Sequence, residues 1–276
     1  MGNIFNRTKR LGTKLLWDNL GIRIEVQRQR RFRWPGAGNR FEYQKRYVKF
    51  DIQPGDQALD IGSGGYPFPY ATVLTDRYLE KSPYRFESLA RGNKPFLLSD
   101  IEELPFRDKG FDFVYCSHVL EVVENPLRAC AEIMRVGKRG FIETPTAGKD
   151  MLFAWARNLQ KWYVTAIGSN LCFFEYSERQ LDGIGSPIWR DRIQSEWCNP
   201  FQEVFYTNQD IFNVMFTWEN QFSVFVFRLD GTVRTLNADV EACPRLARLR
   251  RSEAIEELAY PSQDSRQQFP EESKTQ

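Results

Sequence analysis

The chain holds one histidine in 276 residues, His118, and that scarcity removes every metal site built from several imidazoles. A site made of carboxylates alone is still allowed, but no spacing calls for one, and no metal is assigned. Cysteine is sparse too. Cys116, Cys130, Cys172, Cys198 and Cys243 are odd in number, scattered and without CxxC spacing. That argues against a zinc site or a disulfide framework, and for reduced thiols in a cytoplasmic setting. No run approaches the roughly 18 consecutive apolar residues of a membrane-spanning helix. The first residues, MGNIFNRTKRLG, lack the apolar core of a secretory signal. Asn6 stands where a myristoylation signal has Ser or Thr. The GxGxxG fingerprint of dinucleotide folds is missing as well.

What is present suits a folded enzyme-sized chain. Hydrophobic residues make up 42% and charged residues 27%, enough for one large domain or a core with elaborations. Net charge is only +2, but residues 1–50 are rich in Arg and Lys, from Arg7, Lys9 and Arg10 to Arg46 and Lys49. Such an arm suits anionic lipid, nucleic acid or a phosphorylated substrate. Its bland alternative is a solvated helical arm packed through Leu15, Trp17, Leu20 and Ile22.

Along the chain, residues 12–32 carry helix-like apolar spacing and RWPGAGNRF reads as a loop. Short apolar runs then recur: Ala58–Ile61, Val73–Leu74 before Asp76, Phe96–Leu98 before Asp100, Phe111–Cys116 and Gly140–Glu143. Leu127–Met134 has helical spacing behind Pro126. This alternation predicts an α/β fold around a mostly parallel sheet. After residue 150 the pattern predicts two β-hairpins, Trp162–Ala166 with Leu171–Phe174 and Ile211–Trp218 with Phe222–Phe227, separated by a long loop or lid. The expected organisation is an arm over 1–45, a core over 46–150, a β-hairpin-rich elaboration over 151–235 that completes the sheet and caps the substrate site, and a charged helix and disordered tail over 236–276.

The stretch Gln57-Ala-Leu-Asp-Ile-Gly-Ser-Gly-Gly65 is the most informative. Asp60 sits at the end of a strand, and Gly62, Ser63 and Gly64 form a turn through which backbone can approach a ligand. At the carboxyl edge of a parallel sheet, such turns bind ligands. Acids close the next two strands: Asp76 suits the hydroxyls of a ribose, and Asp100 an adenine amino group. Asp60 suits an ammonium group. Three carboxylates at successive strand ends predict an acidic pocket, better matched to a sulfonium and ammonium ligand than to a pyrophosphate.

LDIGSGGYPFPYATVLTDRYLE, SDIEELPFRDKGFDFVYCSHVLEVVENP and GFIETPT together resemble class I S-adenosylmethionine-dependent methyltransferases of the type-11 domain family, over about residues 55–146. The resemblance implies a Rossmann-like sheet and S-adenosylmethionine as cofactor. It implies that Asp60, Gly62 and Gly64 meet the methionine end, Asp76 the ribose, and Asp100 and Ile101 the adenine, with Ser117 and His118 beside the methyl donor and Ser63 and Arg77 as further cofactor-binding candidates. The chain departs from the family in two places. Pro67 and Pro69 interrupt the short Asp60–Asp76 linker, so the usual first helix must be shortened or replaced by a loop. Val122 stands where many relatives carry a second His.

Methyl transfer from a sulfonium is an in-line displacement governed largely by alignment. A hydroxyl or ammonium acceptor needs a base, for which His118 is the candidate, with Glu121 one helical turn on to orient it or bind substrate. The alternative for His118 is a residue that lines the donor pocket and moves no proton. Aromatic residues after Trp155 form either an acceptor platform or the core of the β-elaboration. The acceptor is expected to be a small molecule, a glycan or a lipid-linked precursor. Two other functions stay open: a catalytically weak donor-binding regulatory or scaffold protein, and an RNA methyltransferase.

Overall fold

The computed structural model describes residues 40–80, 82–85, 88–152, 159–183 and 208–239. Helix α1 (Arg40–Tyr47) leads into β1 (Ala58–Ile61), β2 (Val73–Asp76), β3 (Phe96–Leu98) and β4 (Phe113–Ser117). Helix α2 (Pro126–Val136) precedes β5 (Arg139–Pro145), and α3 (Ala147–Leu152) follows it. Then come β6 (Trp162–Ile167), β7 (Asn170–Glu175), α4 (Glu178–Gly183), α5 (Gln209–Phe212), β8 (Asn213–Glu219), β9 (Ser223–Phe227) and β10 (Val233–Leu236).

The main sheet has the order β3-β2-β1-β4-β5-β8. Its first five strands are parallel, and β8 closes the edge antiparallel to β5. This is an α/β fold around a mostly parallel, Rossmann-like sheet. The order reverses between β1 and β4, and the crevice above that reversal is where open α/β sheets bind ligands. The continuous apolar character of β1 and β4 has its cause here: all four residues of β1 and all five of β4 are buried, because both faces of the sheet are covered.

One face is covered in an unusual way. No helix follows β1; residues 62–72 run as turns and bends, as the two prolines require. Phe68, fully buried, plugs the face instead, stacked 4.2 Å from the Tyr115 ring at 4° and 5.2 Å from Phe50 edge-on. Phe41 of α1 joins the same aromatic cluster. On the other face lies α2, capped by the Asn125 side chain, which accepts from the Arg128 N–H at 3.2 Å, with Pro126 in the first turn. Its buried Ala129, Cys130 and Ile133 share one core with the sheet and with Trp162, Leu171, Val224 and Val226.

Those last residues belong to a second sheet, ordered β10-β9-β7-β6. The expected hairpin β6–β7 is present, turning at Gly168, which has φ +64. The second expected hairpin is not. β8 pairs with β5 in the main sheet, while β9 pairs with β7 and β10 in the second. Asn220, at φ +61, redirects the chain between them, its N–H bonded to the Lys138 carbonyl at 2.7 Å. Burial explains the split. β9 is apolar on both faces, with Val224 and Val226 in one cluster and Phe225 and Phe227 in another, and such a strand belongs at a sheet's centre. Residues 211–212 fall in α5 rather than in the strand, and Leu236, expected to open a charged helix, ends β10. Most of the basic arm, the central lid and the tail fall outside the described residues.

Tight packing at β5 gives a direct test. A Cβ on Gly140 would stand 2.3 Å from the Val114 carbonyl oxygen and 2.9 Å from Trp218 Nε1. Gly140→Ala is expected to lower stability by about 1–3 kcal/mol, read as a lower urea midpoint with unchanged slope.

Candidate functional site

A cleft of about 1040 Å³, counted out to its open mouth, lies over the ends of β1, β2, β3 and β4. Gly62, Ser63, Gly64, Asp76, Arg77, Asp100, Ile101, Ser117 and His118 all line it. The structure therefore gathers nearly all the donor-site candidates in one place. Gly62 and Gly64 hold φ of +70 and +54, which only glycine adopts without strain. A Cβ on Gly62 would lie 2.4 Å from Val119 Cγ2, so the turn leaves no room for a side chain.

Asp60 does not line the cleft. It is buried, and its Oδ2 accepts from the Phe68 N–H at 2.7 Å, tying down the loop that replaces a helix. The other two acids meet arginines. Asp76 Oδ2 accepts from the Gly64 N–H at 3.1 Å and from Arg85 Nη1 at 3.0 Å, and Oδ1 from the Tyr78 N–H at 2.8 Å. Asp100 Oδ2 stands 3.3 Å from Arg77 Nε. The cleft is thus less acidic than its three strand-end aspartates suggest. Arg85, which the sequence reading did not single out, is buried and also donates to the carbonyls of Tyr78, Leu79 and Glu80.

The residues present fit an adenosyl ligand with a charged tail. Asp76 Oδ1 keeps capacity for a further hydroxyl donor, because a carboxylate oxygen accepts two hydrogen bonds. Ser63 Oγ and Ser99 Oγ are buried and lack a partner among the described residues. Both residues line the cleft, so a bound molecule can satisfy these hydroxyls.

His118 stands at the far wall in left-handed backbone, φ +57. A non-glycine residue there carries strain that the surroundings must hold. Its N–H donates to the Glu143 carbonyl at 2.8 Å. Its ring lies between two buried carboxylates, with Nε2 3.1 Å from Glu143 Oε1 and Nδ1 3.4 Å from Glu121 Oε1. Lys149 Nζ is 3.4 Å from Nε2. Glu121, the other catalytic candidate, therefore touches His118 but does not line the cleft.

Glu143 is a buried charge with several partners. It has no exposure, and receives the Tyr43 hydroxyl at 2.6 Å and Gln44 Nε2 at 2.7 Å. Burial works against its charged form, but the hydrogen bonds from His118 and Tyr43 and the positive charge nearby outweigh it and lower its carboxyl to about 2. Tyr43, Gln44 and Lys149 escaped the sequence reading. Contacts between 31 and 100 residues apart leave no local signal. The described cysteines, Cys116, Cys130 and Cys172, are buried free thiols, and burial pushes those of Cys116 and Cys130 up, away from the reactive thiolate form. No group of metal-ligating side chains is found among the described residues, and no described helix is long and apolar enough to cross a membrane.

Because Glu143 is depressed in the folded state, its contribution to stability is full above the ordinary carboxylate range and fades as pH falls through 4.5 toward about 2. Urea titrations of wild type and Glu143→Gln are expected to differ most near neutrality, and the gap to close over that window. A gap that persists unchanged at low pH would overturn the assignment.

Comparison with known proteins agrees with this geometry. Residues 59–142 match the family model described as a methyltransferase domain. A demethylmenaquinone methyltransferase of Renibacterium salmoninarum is 34% identical over 92 residues, covering 32% of this chain and 39% of that protein. The chain thus spans about two fifths of that relative's length. Among solved structures, a SAM-dependent methyltransferase from Aquifex aeolicus is 23% identical, covering 39% of this chain and 64% of that one, at a TM-score of 0.31. An S-adenosylmethionine-dependent methyltransferase from Mesorhizobium loti is 12% identical, covering 66% and 97%, at a TM-score of 0.35. The matched residues 59–142 are those of a methyltransferase domain, and the cofactor such a domain implies is S-adenosylmethionine.

Proposed function

We propose that the chain is an S-adenosylmethionine-dependent methyltransferase that moves a methyl group onto a small-molecule, glycan or lipid-linked acceptor. The observation that carries this reading is the meeting of the glycine turn, Asp76 and Asp100 with His118 around one cleft at the sheet's switch point. When bound, S-adenosylmethionine supplies an electrophilic methyl group on a sulfonium. Asp76 receives the ribose hydroxyls, Asp100 and Ile101 flank the adenine, and the backbone of Gly62 and Gly64 lies along the methionine end. Arg77 and Arg85 hold the two acids in place. Arg85 leaves Asp76 able to accept while removing much of its net charge.

His118 serves as the base. Nε2 donates to Glu143, which leaves Nδ1 as the atom able to take a proton from the acceptor. A proton there faces Glu121 while Nε2 faces Glu143, so the charge that develops on the ring is answered without any movement of the protein. Glu143 is a positioning residue: it fixes the tautomer and the strained backbone around His118.

Two measurements test the reading. Titration calorimetry with S-adenosylhomocysteine is expected to show binding weakened about tenfold or more by Asp76→Ala and by Gly62→Val, with circular dichroism unchanged. Unaltered affinity in both variants sinks the pocket. With a panel of small-molecule, glycan and lipid-linked acceptors, His118→Ala is expected to lower turnover by about 10²–10⁴-fold while donor affinity stays within a few-fold. A loss confined to donor affinity would make His118 a lining residue only. Donor binding without turnover on any acceptor would favour a regulatory protein, a reading to which Val122 in the cleft wall lends weight.

A further inference from the structure

Beside His118, outside the lining of the donor cleft, Glu121 belongs to a polar cluster whose other members the reading above does not use. Asp150 of α3 is buried; its Oδ1 accepts from Gln160 Nε2 at 3.1 Å and its Oδ2 from the Tyr176 hydroxyl at 2.9 Å. Glu121 lies close enough to repel its charge, and the Glu121 carbonyl receives the N–H of Lys161, next to Gln160. Two acceptor atoms in this cluster have no partner among the described residues: Glu121 Oε2 and Gln160 Oε1. Both side chains are more than nine-tenths buried. The Gln160 amide uses its N–H on Asp150, and its carbonyl is left without a donor among the described residues. Everything unsatisfied here is an acceptor.

Buried acceptors without donors are costly, and two neighbouring carboxylates add repulsion. The nearby cations are already engaged: Lys149 donates to Asn213 Oδ1 at 2.7 Å, and Glu143 is answered by Tyr43, Gln44 and His118. A group that brings both N–H donors and positive charge relieves the whole cluster at once. His118 separates this cluster from the donor cleft and touches both, and an acceptor has to sit at that junction for its nucleophile to reach the methyl group.

We infer that Glu121, Asp150 and Gln160 form the acceptor subsite and that they recognise a protonated amine. This inference rests on the methyltransferase reading and narrows its acceptor class to amines. A neutral sugar or alcohol would satisfy the two orphaned oxygens but bring no charge to Glu121, whose buried Oε2 is one of them.

The test is calorimetry on the full chain saturated with S-adenosylhomocysteine, with ethanolamine, propylamine and benzylamine each set against ethylene glycol, propanol and benzyl alcohol. The amines are expected to bind saturably, about tenfold or more tighter than the matching alcohols. Asp150→Asn and Glu121→Gln are each expected to weaken amine binding by about tenfold, with nucleotide affinity unchanged and Asp150→Glu restoring part of the loss. Burial and the Glu121 charge raise the Asp150 carboxyl to about 6, so amine affinity should climb as pH rises through that value. The groups that face it are Glu121, Tyr176, Lys149 and, further off, His118; Asp150→Asn should flatten the climb if Asp150 is its source. Equal binding of alcohols, no saturable amine binding, or variants that bind amines like wild type would overturn the subsite. Failure of S-adenosylhomocysteine to bind, with amine binding intact, would instead overturn the donor reading alone.

Discussion

A carboxylate without exposure to water, near the end of the parallel strand β5, has to be matched by donors or it would stay uncharged. Glu143 is matched from three directions. Helix α1 supplies Tyr43 and Gln44, β4 delivers His118, and the cation of Lys149 stands close by. These groups come from distant parts of the chain, so the same interaction fixes where α1 lies, how β4 ends and which way the imidazole faces. The strained backbone at His118 persists because this network over-determines it.

Much of the sheet could be read directly from residue pattern. β1 and β2 fall where short apolar runs meet Asp60 and Asp76, because buried parallel strands need apolar residues on both faces and functional groups gather at their carboxyl ends; β3, at the more exposed edge, runs up to Asp100. The absent first helix was also legible, since Pro67 and Pro69 forbid it. What took its place was not. That an aromatic loop residue, Phe68, fills the gap depends on Tyr115 and Phe50, each remote in sequence. The second hairpin misled for a related reason. Two apolar runs joined by ENQ look alike whether they pair with each other or part, and only the waiting edge of β5 and the two-sided burial of β9 decide it.

The site shows the same division. Glycines and strand-end acids have local signatures, and they line the cleft with the exception of Asp60. Their electrostatic partners have none. Arg85 reaches Asp76 across nine residues of irregular chain, and Tyr43 reaches Glu143 across 100. An inventory of acidic residues therefore overstated the negative charge of the cleft, because the balancing guanidinium groups are placed by folding alone.

The loop that stands in for the first helix has an electrostatic consequence. In a Rossmann-like fold a helix beginning at the glycine turn would aim the positive end of its peptide dipoles at the ligand, a field set by backbone geometry and hard to alter. Residues 62–72 contain no helix, so that field is absent here. The positive charge lining the cleft comes from Arg77 and the buried Arg85, two discrete side chains. The potential felt by a ligand in this cleft is accordingly a matter of individual residues, open to adjustment one substitution at a time without rebuilding the fold.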